Sequence, residues 1–287
     1  MKKIKFFIDG CASDLNSALI SSYNLNILYN RITINNKDYY SDCNWIKTPK
    51  KEYLDFLHEG NYARISQVST GEWKNIFEEA LKEENDILFL SLSKRFCGSY
   101  KNASIAKNLL IKNYPEREFE IIDSELAGAG YKLLALKIAE ELQKNNLGTL
   151  KNFSEYIQNK YSKKIQTYWI CNNLNYVVFM SRGSDAFEAN EIPPGSPLMA
   201  TDFQGSFSVD SINSSVEKTF EDFLKKVKEV KSWELSYSPD LREDFISSKV
   251  QILTENLGKS PEHAISYQSP TNIAIAGPYS YSIGVLR

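Results

Sequence analysis

The chain of 287 residues is 42% hydrophobic and carries a formal net charge of −2, enough apolar material and length for two packed domains. The near-balance of charge argues against nucleic acid or an anionic membrane surface as the main partner, and no run of about 18 apolar residues exists to span a bilayer. Cys11, Cys43, Cys97 and Cys171 form no C-x-x-C pair, and His58 and His263 are the only histidines. Free thiols, no metal site, no cofactor and no Ser-His-Asp chemistry are therefore expected.

In chain order, Lys5 to Ile8 reads as a short strand ending at Asp9, too soon interrupted for a signal peptide, so a cytoplasmic location is expected. Leu15, Leu19 and Ile20 suggest a helix. Asn26 to Tyr40 alternates about Asn35-Asn36-Lys37 as a hairpin, and Pro49 to Leu57 reads as a helix. Ser69 followed by Glu72 is a capping-box pattern that opens a helix from Trp73 to Leu81. Phe119 to Ile122 is a strand ending in Asp123-Ser124. The glycines of Ala127-Gly128-Ala129-Gly130 are read as close-packing positions, not as a dinucleotide fingerprint, ahead of a helix from Tyr131 to Gln143. A helix from Leu150 to Tyr161 and a strand from Gln166 to Cys171 follow. The alternation predicts an α/β domain: a parallel sheet with helices on both faces, spanning 1–188. The Pro/Gly-rich stretch Glu191 to Pro197 marks a boundary. Beyond it, a smaller α+β domain over 189–287 is expected, with a hairpin turning at Gln204-Gly205, helices over Val216–Val230 and Arg242–Leu257, and strands at Trp233–Tyr237, Ala264–Gln268 and Asn272–Ala276.

The most informative stretch runs from Asp86 to Leu110. Ile87 to Leu92 is an apolar strand, Ala103, Ala106, Leu109 and Leu110 recur at helical spacing, and Lys94 to Ser99 turns between them. Gly98 allows close backbone approach and Ser99 is placed to cap the helix, so the turn could hold a phosphate or a carboxylate.

The segments DGCASDL (Asp9–Leu15), ISQVS (Ile65–Ser69), CGSY (Cys97–Tyr100), IDS (Ile122–Ser124), NLNY (Asn173–Tyr176) with Arg182, and Gly277-Pro278 come in an order that resembles the DegV family. These are bacterial fatty-acid-binding proteins, some of which serve as the lipid-presenting subunit of fatty acid kinase. The resemblance covers nearly the whole chain and implies a two-domain carrier, without catalysis of its own, whose first domain holds the lipid headgroup and whose second covers the acyl chain. In the family pattern the carboxylate meets a Thr, a Ser and a His at the positions of Ile65, Cys97 and Ile275. Two of these have no side-chain donor here and the third is a weaker one. The substitutes expected for headgroup binding are the Ser66 and Ser99 hydroxyls, Gln67, and the N–H groups of Gly98 and Ser99, with a tubular apolar cavity beneath Phe96 to Ser99. Arg182 matches the family position implicated in docking a kinase partner.

Two other functions compete with the carrier. The departures at Ile65, Cys97 and Ile275 fit a scaffold or regulatory protein whose pocket has filled. Asp9 at a strand end resembles the haloacid-dehalogenase placement for phosphoryl transfer, with Asp123 as a helper, but the second carboxylate that Mg²⁺ handling needs is replaced by Cys11.

Overall fold

A computed structural model describes residues 3–11, 14–95, 97–144, 148–180, 193–202, 204–259 and 265–287. In chain order the elements are β1 (Ile4–Asp9), α1 (Ser17–Ser22), β2 (Asn26–Leu28), β3 (Arg31–Ile34), β4 (Lys37–Tyr40), α2 (Lys50–His58), β5 (Arg64–Ser66), α3 (Thr70–Lys82), β6 (Asp86–Ser91), α4 (Ser99–Leu110), β7 (Phe119–Asp123), α5 (Gly128–Gln143) and α6 (Leu150–Lys160). There follow β8 (Ile165–Ile170), α7 (Asn175–Met180), β9 (Ser196–Thr201), β10 (Phe207–Asn213), α8 (Val216–Lys226), β11 (Ser232–Tyr237), α9 (Glu243–Leu257), β12 (Ile265–Tyr267), α10 (Pro270–Ala276) and β13 (Tyr281–Leu286).

Among the described residues the strands form three sheets. The first, ordered β2-β1-β6-β7, is parallel throughout. Its apolar strands alternate: Phe6, Ile8, Leu88, Leu90 and Ile122 face one cluster with Leu15, Leu134 and Phe153, while Phe7, Ile87, Phe89 and Phe119 face another with Trp73, Phe77, Ala103 and Ala106. Helices thus cover both faces, α3 and α4 on one, α1, α5 and α6 on the other. On the first of these, Trp73 and Phe77 stack at 5.1 Å and Phe119 meets Phe77 edge-on at 4.8 Å, each ring worth roughly 1.5–3 kcal/mol by burial alone. The capping box is formed as expected, with Ser69 Oγ accepting from Glu72 N at 3.2 Å and Ser69 N donating to Glu72 Oε2 at 2.9 Å.

The second sheet is mixed and ordered β10-β9-β8-β13-β11-β12. One face packs under α8 and α9 through Tyr168, Leu198, Phe223, Trp233 and Ile283. The other meets α5, which lies between the two large sheets. The third sheet, β4-β3-β5, is a small antiparallel unit packed with α2 and α10.

Three expectations need correction. The strand from Gln166 to Cys171 belongs to the second sheet, antiparallel to β13 and β9. A strand buried on both faces carries no local sign of its partners. Sheet membership therefore changes at Ile165, whereas the expected boundary at 188/189 lies outside the described residues. The strand expected over Asn272–Ala276 is instead α10, opened by Ser269, whose hydroxyl accepts from Asn272 N, with Pro270 at the first helical position. Its burial on nearly every side hid the helical period. The hairpin over Asn26–Tyr40 is only its second half, β3 and β4 turning at Asn35-Asn36, both left-handed (φ 48 and 59°), while β2 pairs in parallel with β1.

Buried polar groups join the two large sheets. Lys132 on α5, fully buried, pairs with Glu234 on β11 at 2.9 Å and donates to Ser266 Oγ at 3.0 Å. Nearby, Asp14 Oδ1 accepts from Ser269 N at 2.8 Å and Asn272 Nδ2 at 2.7 Å. Burial pushes the Asp14 carboxyl up to about 6, against the opposing pull of these hydrogen bonds, Lys132 and Ser236. The folded state then holds this proton more tightly than the unfolded one, so Asp14 withdraws stability as pH rises from about 4 to about 6, by up to about 3 kcal/mol in all, and by a constant amount above that. Asp14→Asn removes this titration. The stability difference between variant and wild type, measured by denaturant unfolding, is expected to move in the variant's favour across that window and to level off above it; a difference that stays constant from pH 4 to 7 would contradict the assignment.

Candidate headgroup site at the carboxyl edge of the parallel sheet

β1 and β6 are adjacent, so their carboxyl ends bring Asp9 beside the loop from Leu92 to Gly98. The Asp9 carboxylate is fully buried. Oδ1 accepts from Cys11 N at 3.0 Å, Oδ2 from Leu92 N at 3.3 Å, and the Ser99 hydroxyl supplies a further hydrogen bond. Desolvation raises its pKa to about 6, the hydrogen bonds from Cys11, Ser99 and Leu92 pulling the other way. From α5, Tyr131 locks the same edge: its hydroxyl accepts from Asp9 N at 3.0 Å and donates to Leu90 O at 2.8 Å. Nothing in the sequence around Tyr131 marked it for this role, because the link depends on α5 crossing the strand ends.

Cys97 and Ser99 are buried, Gly98 half-buried. Gly98, not Ser99, is the N-cap of α4. Ser99 is the first helical residue, and its hydroxyl turns inward to Asp9 and accepts from Cys97 Sγ at 3.2 Å. The Cys97 thiol in turn hydrogen-bonds Cys11, which its contact with Cys97, burial and the neighbouring Asp9 hold well above the ordinary thiol range. Cys11, Cys97, Ser99 and Asp9 therefore satisfy one another. The groups left to meet a guest are the first N–H groups of α4, which have no acceptor within the helix, and the Nε2 amide of Gln67, whose Oε1 accepts from Cys97 Sγ at 3.9 Å. That side chain lies over the turn, and a Cβ at Gly98 would fall 2.5 Å from Gln67 Oε1.

The remaining expected residues divide. Ile65 is partly buried and bridges the core cluster that contains Cys97 and the one around α2 and α10. Ile275 is half-buried on α10. Ser66 is exposed and, by strand alternation, on the side of β5 away from Ile65. Arg182 and Phe96 lie outside the described residues. Asp123 is held by Lys94, through its N–H at 3.2 Å and its Nζ at 3.2 Å, and does not join Asp9 in a metal site: no group of three metal-ligating side chains occurs among the described residues. A cavity of about 500 Å³ lies elsewhere, lined by Asp240 to Arg242, Asp244, Phe245, Ser248 and Tyr279.

A family model for the DegV family matches residues 3–183. The chain belongs to the DegV family. Among curated relatives, a DegV domain-containing protein of Clostridium perfringens is 29% identical over 177 residues, 62% of this chain and 59% of that protein. One from Caldanaerobacter subterraneus is 31% identical over 139 residues, 48% of this chain and 47% of its own. The matches thus span about half the length of these DegV relatives. Solved DegV-type structures share the whole fold. A stearic-acid-binding protein from Eubacterium ventriosum aligns over 100% of this chain and 98% of its own, with a TM-score of 0.84 and 17% identity. The Bacillus subtilis fatty-acid-binding protein DegV aligns over 100% of both chains, with 0.80 and 16%. No helix among the described residues is long and apolar enough to cross a membrane.

The tip of the β9–β10 hairpin reaches across to this site. Ser93 Oγ donates to Gly205 O at 2.8 Å and Arg95 to Gln204 Oε1 at 3.4 Å. Gly205 adopts φ +80°, and a Cβ there would lie 2.4 Å from Ser93 Oγ and 2.9 Å from Glu125 Cα. Gly205→Ala is therefore expected to cost about 1–3 kcal/mol, read as a lower denaturant midpoint at unchanged slope. An unshifted midpoint would mean that the tip does not seat on Ser93.

Proposed function

We propose that this chain is a cytoplasmic carrier of a long-chain fatty acid or closely related lipid, with no chemistry of its own. Its first domain meets the headgroup at the turn from Cys97 to Ser99, and its second covers the acyl chain. The observation that carries this is the continuity of one apolar cluster. It begins at Cys11 and Cys97 beneath the turn, runs through Ile8, Leu90, Leu134 and Ile138, and ends at Trp169 and Met199 of the second sheet. An acyl tail needs apolar side chains around it beneath its polar end, and this cluster supplies side chains of that character. The whole-chain likeness to structures of fatty-acid-binding proteins supports the same reading. The headgroup donors are the N–H groups of Gly98 and Ser99, favoured by the helix dipole, with the Gln67 amide above them. In its finer form the bound lipid is presented to a kinase partner that docks through Arg182.

A scaffold without lipid is the second reading, favoured by the mutual satisfaction of Cys11, Cys97, Ser99 and Asp9, which leaves few side-chain donors free. Native mass spectrometry of protein purified from cells, followed by lipid extraction, separates the two: a carrier retains about one lipid per chain, a filled scaffold none.

A second measurement probes the headgroup. Ile65→Thr with Cys97→Ser introduces hydroxyl donors beside the turn, each worth roughly 1.5–3 kcal/mol to a carboxylate. Titration with a fluorescent fatty acid is expected to show at least tenfold tighter binding, whereas unchanged affinity would place the headgroup elsewhere.

A further inference from the structure

The second sheet and its helices bury two polar groups that the fold leaves unused. Lys249 on α9 is 7% exposed, yet among the described residues its ammonium has no hydrogen-bond or ion-pair partner. It lies instead over two rings, 4.5 Å from the centre of Phe220 on α8 and 4.9 Å from that of Phe245, one helical turn before it. Tyr281, the first residue of β13, is fully buried, and its hydroxyl has no partner among the described residues. The same two rings meet Tyr281 edge-on, Phe220 at 6.2 Å and Phe245 at 6.0 Å. Two donors that share both neighbours are thus left without an acceptor.

Buried lysines are ordinarily paired and buried hydroxyls ordinarily bonded, because each has given up its contacts with water. Burial lowers the Lys249 pKa, against the pull of Glu217 and Glu221 on α8, neither of which forms an ion pair with it. Burial, with Glu217 and Cys171 nearby, holds the Tyr281 hydroxyl well above the ordinary phenol range, so it remains a donor at neutral pH. A carboxylate would satisfy both groups, since it accepts from a hydroxyl and pairs with an ammonium.

Access comes from the cavity of about 500 Å³ at the start of α9. Phe245 belongs to both the cavity and the pair, Ser248 lines the cavity next to Lys249 in sequence, and Leu241 and Tyr279 add apolar wall. The cavity's own carboxylates are engaged elsewhere. Asp240 accepts from Tyr279 N at 3.1 and 3.2 Å and meets His58 Nε2 at 3.1 Å, and Asp244 is held by Arg242. A space of this size takes a small-molecule body, and the long stem of Lys249 lets its ammonium turn past the edge of Phe245 to a group seated there.

We propose that Lys249 and Tyr281 anchor a second ligand site, separate from the turn at Cys97, for a monocarboxylate with an apolar body. The body lies against Leu241, Phe245 and Tyr279, and the carboxylate accepts from Lys249 Nζ and the Tyr281 hydroxyl. Medium-chain fatty acids and aromatic acids share this chemistry, so octanoate and phenylacetate are the probes.

The test is isothermal titration of the full chain with each acid, together with photolabelling by octanoate bearing a chain-terminal diazirine. At least one acid is expected to bind with a sub-millimolar Kd, and the label to fall on the peptides that contain Phe245 or Tyr279. Octylammonium is expected not to compete. Lys249→Met and Tyr281→Phe each remove one donor and keep an apolar side chain in its place, so neither is expected to lower the denaturant midpoint, and each is expected to weaken binding about tenfold or more. The site would be overturned by binding of neither acid, by label confined to the peptides around Cys97, or by equal competition from octylammonium. Wild-type affinity in either variant, or a lowered midpoint in both, would do the same. Lipid retention at the turn is read separately on protein purified from cells, so either reading can fail while the other stands.

Discussion

The contact between helix α5 and strands β8 and β13 admits no side chain at two facing positions. A Cβ on Gly130 would fall 2.1 Å from Thr167 Oγ1, and one on Gly284 would fall 2.5 Å from Gly130 N and 2.6 Å from Ala129 O. The helix backbone therefore lies directly on the second sheet. That closeness sets the height at which the next two residues leave the helix in different directions. Tyr131 reaches Asp9 and Leu90 of the first sheet, and Lys132 reaches Glu234 and Ser266 of the second. One turn of helix thus registers both sheets against each other. A buried pair such as Lys132 and Glu234 adds little net stability, but losing either partner would strand a charge in the core, at a cost of about 3–5 kcal/mol. The pair acts as a register device.

The same logic governs the edge where Asp9 sits. A carboxylate with no solvent contact survives there because two backbone N–H groups and a hydroxyl converge on it, and these come from the loop after β1, the end of β6 and the start of α4. Asp9 thereby fixes the relative position of the elements that frame the turn. Buried and held by these donors, it shapes the site.

Much of this was legible in sequence wherever the cause is local. The β6-turn-α4 unit, the Ser69–Glu72 capping box and the turn at Asn35-Asn36 all depend on residues within a few positions of each other, and the small residues before Tyr131 do serve close packing. What was not legible depends on partners far away in the chain. β8 reads the same in either sheet, and β13 was not recognised because its pairing with both β8 and β11 has no local signature. At α10 the apolar alternation of Asn272 to Ala276 outweighed the Ser269-Pro270 start signal that was present. At the site, Ser99 was read as a cap because capping is the local use of a serine at that position. Its actual partner, Asp9, becomes available only through the adjacency of β1 and β6.

The place of β13 bears on how the molecule is made. Every other described strand precedes it in sequence, yet it lies between β8 and β11, in the interior of the second sheet. Until residues 281–286 leave the ribosome, β8 with β9 and β10 on one side and β11 with β12 on the other have unpaired edges and no bridge. The first sheet has all its strands by Asp123 and can form while the second waits. Synthesis therefore passes through a stage in which the second sheet lacks an interior strand, its inner edges open to pairing with another chain.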